Sequence, residues 1–122
     1  MSFTEKQTGY FKSFDGTRIY YEIHGEGEPL ILNYGIGCLI NHWHPQIKHF
    51  SKKYKVIVYD YRAHHLSEIP ENQNHLDLDS MAQDIQALCH ELQIEKAHFC
   101  GHSFGVQLLI RTYDMFPELF ED

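Results

Sequence analysis

A serine set between two glycines, Gly101-His102-Ser103-Phe104-Gly105, stands between a short apolar run, Ala97-His98-Phe99-Cys100, and an apolar-periodic stretch over 103–116. No other feature restricts the possible folds as much. A strand that turns at once into a helix crowds the side chains flanking the turn, and residues without a Cβ relieve that crowding. The serine at the pivot reads as a nucleophile, since the first amides and the dipole of a helix favour developing negative charge there. The competing reading is a plain serine N-cap between turn glycines.

Upstream, the pattern is a hairpin followed by alternating strands and helices. The runs 10–14 and 18–24 flank Asp15-Gly16, a two-residue hairpin signal. In the second run Ile19, Tyr21 and Ile23 share one face, and Arg18, Tyr20 and Glu22 share the other. Leu30-Ile31-Leu32-Asn33 and Val56-Ile57-Val58-Tyr59 read as buried strands, separated by a Gly35-Ile36-Gly37 break and a helix over 41–53. A polar loop, 60–75, leads to Leu78, Met81, Ile85, Leu88 and Leu92, whose steps of three and four mark an amphipathic helix with Asp77 as its N-cap. The helix over 103–116 ends at Pro117. The fold class is α/β, with a mostly parallel sheet led by an antiparallel hairpin.

Composition narrows the function. A formal charge of −7 argues against nucleic acid or an anionic membrane as partner. The cluster Lys52, Lys53 and Lys55 reads as a solvated helix end. Cys38, Cys89 and Cys100 are odd in number and widely spaced, which fits neither a disulfide framework nor a zinc site. The first ten residues read as a polar lead-in without a signal-peptide core, so the expected location is cytoplasmic, with reduced thiols. The ten histidines read as scattered surface groups; His42-Trp43-His44 and His64-His65 lack metal-ligand spacing. Neither a metal nor a cofactor is expected. Met81, Phe99, Phe104 and Phe116 read as core, Cys38 as a small packing residue, and Glu118, Glu121 and Asp122 as a solvated tail.

The Gly101–Gly105 motif in this context resembles the nucleophile elbow of the α/β-hydrolase superfamily, and the resemblance runs from Asp15-Gly16 to Phe116. It implies that Ser103 is the nucleophile, that Gly101 and Gly105 are the elbow glycines, and that the Phe104 amide is one oxyanion-hole donor. The loop Tyr34-Gly35-Ile36-Gly37-Cys38 would supply the second donor, the Ile36 amide, with Tyr34 where many relatives carry histidine. Asp60-Tyr61-Arg62-Ala63-His64-His65-Leu66-Ser67 is similar to the family's Asp-x-Arg-Gly-x-Gly-x-Ser loop, with Ala63 and His65 replacing both glycines. If those glycines serve positive φ, this loop must be reshaped. Val106 likewise replaces a frequent glycine.

In that family the triad follows the order Ser, then Asp or Glu, then His. All ten histidines here precede Ser103, and the later acids are Asp114, Glu118, Glu121 and Asp122. By resemblance, residues 1–122 are the N-terminal portion of one hydrolase domain, incomplete at the C-terminus. The implied activity is hydrolysis of a small carboxylic ester, lactone or related acyl compound through an acyl-enzyme. Without the triad acid and histidine the isolated chain is expected to be weak or inactive. Two alternatives stand beside it: a non-catalytic half-domain that binds a small apolar ligand or a protein partner, and a dinucleotide-binding βαβ unit. The last is suggested by Gly35-x-Gly37 and Asp60, but it has Ile40 at the third glycine position and leaves the Ser103 motif unexplained. The strand 97–100 is expected at an uncovered sheet edge, which invites self-association.

Overall fold

The structure, a computed structural model, describes residues 6–121. Five strands, β1 (Gln7–Lys12), β2 (Arg18–His24), β3 (Glu28–Asn33), β4 (Tyr54–Tyr59) and β5 (His98–Gly101), form one sheet in the order β1-β2-β4-β3-β5. β1 and β2 are antiparallel, β2 meets β4 antiparallel, and β3 pairs in parallel with both β4 and β5. Three helices, α1 (His44–Phe50), α2 (Leu78–Glu91) and α3 (Phe104–Met115), complete the α/β layers. After β4 the chain reverses its direction of travel across the sheet, so right-handed crossovers put α1 and α2 on opposite faces. Ile31, Val56 and Ile57 of the sheet and Ala82, Ile85, Leu88 and Leu108 of the helices are wholly buried between these layers.

α2 matches its predicted stripe, and the Asp77 carboxylate accepts the Ser80 amide at 2.8 Å as an N-cap. The other boundaries shift. The stretch predicted as one helix over 41–53 divides into a 3-10 turn, Ile40–Trp43, and α1, with Pro45 in the first turn of α1, where a missing N–H costs nothing. Met1–Glu5 and Asp122 lie outside the described residues; within the expected lead-in, residues 7–10 belong to β1. Met81, Phe99, Phe104 and Phe116 pack half-buried against the core rather than within it.

The hairpin connection has five residues, 13–17, rather than two. Its length follows from inward-facing polar groups. The Ser13 hydroxyl donates to Asp84 Oδ1 at 2.5 Å, and Asp15 accepts from Arg62 Nη1 at 2.9 Å and Nη2 at 3.2 Å. Arg62 is 1 % exposed; its Nε and Nη2 also donate to the Asp84 carboxylate, and Nη1 donates to the His75 carbonyl. All five guanidinium protons are thereby engaged, as a buried cation requires. The hub ties the hairpin loop, the segment after β4 and α2 to one point. Ala63 and His65 hold φ of 65° and 45°, so the 60–67 loop has a left-handed backbone at both substituted positions. Such a conformation costs a non-glycine residue about 1–2 kcal/mol.

β5 is the sheet edge, and chain residues beyond α3 begin to cover it. Ala97 donates to the Leu119 carbonyl and accepts from the Glu121 amide, a short parallel bridge. The rest of that side stays open, with Val106, Ile110 and Tyr113 exposed on the outer face of α3. No helix among the described residues is long and apolar enough to cross a membrane.

The hub carries a pH dependence. Burial pushes the Asp15 carboxyl up, but hydrogen bonds from Arg62 and Thr17 outweigh it and hold the group well below its ordinary 3.8. A carboxyl whose folded pKa is depressed adds stability above its unfolded pKa and loses it as pH falls. Urea midpoints should therefore drop as the pH is lowered from 5 to 2. Asp15→Asn should lower the midpoint at pH 7 and flatten that acid limb, which denaturation followed by circular dichroism at each pH will read.

Candidate active site

β3 lies where the direction of crossover reverses, and the carboxyl ends of strands at such a point collect the ligand-binding loops of open α/β sheets. Three segments leave the sheet there: 34–39 after Asn33, 60–67 after Tyr59, and His102-Ser103 after Gly101.

Ser103 is the N-cap of α3 and holds φ 56°, ψ −115°. A serine acting only as an N-cap has extended backbone; this one is held in a sparsely populated region, at a cost of order 1–3 kcal/mol. Its surroundings leave no alternative path. A Cβ on Gly105 would sit 2.1 Å from the Asn33 carbonyl oxygen, and one on Gly101 would sit 2.7 Å from the Gly105 carbonyl carbon. The same Asn33 carbonyl accepts the His102 amide at 3.0 Å. The glycines therefore permit α3 to press directly on the end of β3, and the turn between them is left to Ser103.

The Ser103 side chain is exposed, and among the described residues its hydroxyl has no hydrogen-bond partner. His102 is its neighbour in the chain, yet no hydrogen bond joins the two side chains. The loop after β3 does reach the elbow. A Cβ built on Gly35 would be 3.3 Å from Ser103 Cβ, 3.4 Å from Cys38 Sγ and 3.5 Å from His102 Nδ1.

Two backbone donors at this place are unspent. Among the described residues neither the Ile36 nor the Phe104 amide donates to a backbone carbonyl, whereas Cys38, two residues past Ile36, donates to the Gly35 carbonyl and Gly105 donates to the His102 carbonyl. Beside them a cavity of about 400 Å³ is lined by Tyr34, Cys38, His42, Trp43, Gln46 and His102. Among the described residues the indole N–H of Trp43 is buried without a hydrogen-bond partner.

Aromatic and acidic groups brace the floor. Asp60 is buried and accepts the Tyr34 hydroxyl at 2.9 Å and the Leu66 amide at 3.2 Å. Burial pushes its carboxyl up, against the lowering effect of those donors. The carboxylate singled out as a ribose-binding acid is thus committed to the two loops. Tyr59 donates to Asn33 Oδ1 at 2.6 Å, and Tyr61 donates to the Tyr34 carbonyl at 2.5 Å. Sequence reasoning did not single out Asn33, Tyr59, Tyr61 or the Arg62–Asp84 pair. Arg62 lay inside a recognised motif, but its partners are 22 and 47 residues away. No group of three or more potential metal ligands occurs among the described residues.

The backbone strain at Ser103 yields a prediction independent of chemistry. Ser103→Gly removes the Cβ that disfavours positive φ, at a smaller entropic cost in the unfolded chain. It should raise unfolding stability by roughly 1 kcal/mol, read as a higher urea midpoint than wild type.

Comparisons with known proteins agree with this architecture. Residues 28–120 match the family model described as the alpha/beta hydrolase fold. The chain is 34 % identical over 92 residues to 3-oxoadipate enol-lactonase 1 of Acinetobacter baylyi, covering 74 % of this chain and 34 % of that protein. It is 38 % identical over 94 residues to (E)-2-((N-methylformamido)methylene)succinate hydrolase of the same organism, covering 73 % and 33 %. An epoxide hydrolase from Vigna radiata superposes with a TM-score of 0.88 at 22 % identity, over 95 % of this chain and 38 % of that one, a likeness of fold. The chain spans about a third of the length of the curated relatives it matches. With the sheet order, the strand-to-helix turn and the family match in agreement, the chain belongs to the α/β-hydrolase fold family.

Proposed function

We propose that this chain carries the nucleophile and the oxyanion-binding half of a serine hydrolase acting on a small carboxylic ester, lactone or related acyl compound. The observation that carries the reading is the backbone of Ser103, held at φ 56° between two glycines that have no room for a side chain. Strain of this kind persists where the surroundings over-determine it, and it presents the hydroxyl at the top of the sheet. The similarity to an enol-lactonase favours an ester or lactone carbonyl as the target.

In the proposed reaction Ser103 Oγ adds to the carbonyl carbon, and the carbonyl π electrons move onto oxygen. The unspent amides of Phe104 and Ile36 receive that oxyanion, with α3's first turn adding its positive end. Collapse expels the alcohol and leaves an acyl-serine, which water hydrolyses. A neutral serine hydroxyl needs a base to take its proton. Every histidine of this sequence precedes Ser103, and the family order places both triad partners after it, so the reading assigns them to residues outside 1–122. The chain alone is then a weak catalyst at most.

Hydrolysis of p-nitrophenyl acetate, followed by nitrophenolate release with Ser103→Ala as control, tests the role of the serine. Loss of the residual rate, or of an acyl adduct in the intact mass, is expected for Ser103→Ala; equal rates and adducts in both proteins would remove Ser103 from the chemistry.

The same reading bears on association. Val106, Ile110 and Tyr113 on α3, together with the β5 edge beyond the Ala97 bridge, form the side on which the remainder of a hydrolase sheet would pack. Left bare, an apolar face beside an open strand edge pairs with its like. Sedimentation of the isolated chain should show dimers or larger species at micromolar concentration; a monodisperse, cooperatively melting monomer would contradict this.

A further inference from the structure

We propose that Tyr61 is a positioning residue for the oxyanion hole, holding both of its backbone donors in register from beneath; this rests on the reading of Phe104 and Ile36 as those donors. The two amides belong to segments far apart in the chain, one in the loop after β3 and one at the start of α3, and no hydrogen bond joins them among the described residues. Tyr61 touches both segments. Its hydroxyl donates to the Tyr34 carbonyl at 2.5 Å, fixing the plane of the peptide that enters Gly35 and so the approach to the Ile36 amide. Its ring meets the Phe104 ring edge-on, with centroids 5.8 Å apart at 71°.

The tyrosine is itself tightly held. It is 1 % exposed, its amide donates to the Tyr34 hydroxyl at 3.2 Å, and its ring lies edge-on to the Tyr34 ring at 4.5 Å. The Tyr34 hydroxyl donates in turn to Asp60, and the two tyrosines form a closed double link: side chain to backbone in each direction. Burial pushes the Tyr61 phenol well up, which keeps it a donor at any working pH. An unconstrained loop of small residues would leave the Ile36 donor free to swing. A donor must sit where the oxyanion forms, within hydrogen-bond distance, for its electrostatic effect to count.

Tyr61→Phe isolates the hydroxyl. It leaves the ring against Phe104 and removes only the bond to the Tyr34 carbonyl. Two readouts on the full chain test the proposal. In amide hydrogen exchange by NMR, the Cys38 amide, which donates to the Gly35 carbonyl across the Ile36 turn, should exchange at least about tenfold faster in Tyr61→Phe, while Phe99 and Cys100 in β5 keep wild-type rates. In p-nitrophenyl acetate hydrolysis, the Ser103-dependent kcat should fall about tenfold with KM unchanged, less than the 10²–10³ lost when an oxyanion donor is deleted outright. Tyr61→Leu, which loses the ring as well, should fall further and also loosen Phe104. Wild-type exchange at Cys38 and a wild-type Ser103-dependent rate in Tyr61→Phe would overturn the positioning role and leave the nucleophile reading standing. If Ser103→Ala hydrolyses the ester as fast as wild type, the nucleophile reading itself fails and this proposal fails with it.

Discussion

The architecture hangs on a contact between two backbones. Helix α3 presses so closely on the end of β3 that a single methyl on Gly105 would fall 2.1 Å from the Asn33 carbonyl oxygen. That carbonyl also accepts the His102 amide, so the end of β3, the turn and the start of the helix meet around one oxygen. Little slack remains between Gly101 and Gly105, and Ser103 takes the left-handed backbone that the geometry demands. The strain is a consequence of packing and would exist whatever chemistry the hydroxyl performs. What it achieves is exposure: a small polar side chain held clear of the sheet, beside two amides with no backbone acceptor.

The loops that frame the serine are stiffened by buried polar groups. Arg62 joins Asp15, Asp84 and the His75 carbonyl, and the Tyr34–Asp60–Tyr61 links join the loop after β3 to the loop after β4. A buried cation with all its protons bonded is costly to disturb, since losing one partner typically costs about 3–5 kcal/mol. These two networks let Ala63 and His65 keep positive φ without glycine. Strain in the loop is offset by bonds on either side of it.

Much of this was legible in the sequence because it is local. The three-and-four stepping of Leu78, Met81, Ile85 and Leu88 and the cap at Asp77 are short-range signals, and α2 follows them within a residue. The glycines about Ser103 marked the strand-to-helix turn for the same reason. Features set by distant partners were not legible. Asp15-Gly16 carried a two-residue hairpin signal, yet Ser13 and Asp15 turn inward to Asp84 and Arg62, and the connection lengthens to five residues. The positive φ of Ala63 and His65 was not legible either, because the Arg62 and Asp60 anchors beside them depend on distant partners. Tyr61 was passed over because its importance lies in a carbonyl 27 residues away.

The proposed chemistry requires Ser103 to be strained rather than an ordinary helix cap, and NMR can read that angle directly in the chain as it stands. A strong intraresidue amide-to-Hα Overhauser effect at Ser103, comparable to those of Ala63 and His65, is the predicted result, because all three share positive φ. A weak effect, with the couplings of extended backbone, would make Ser103 a plain N-cap serine and contradict the elbow on which the proposed chemistry rests.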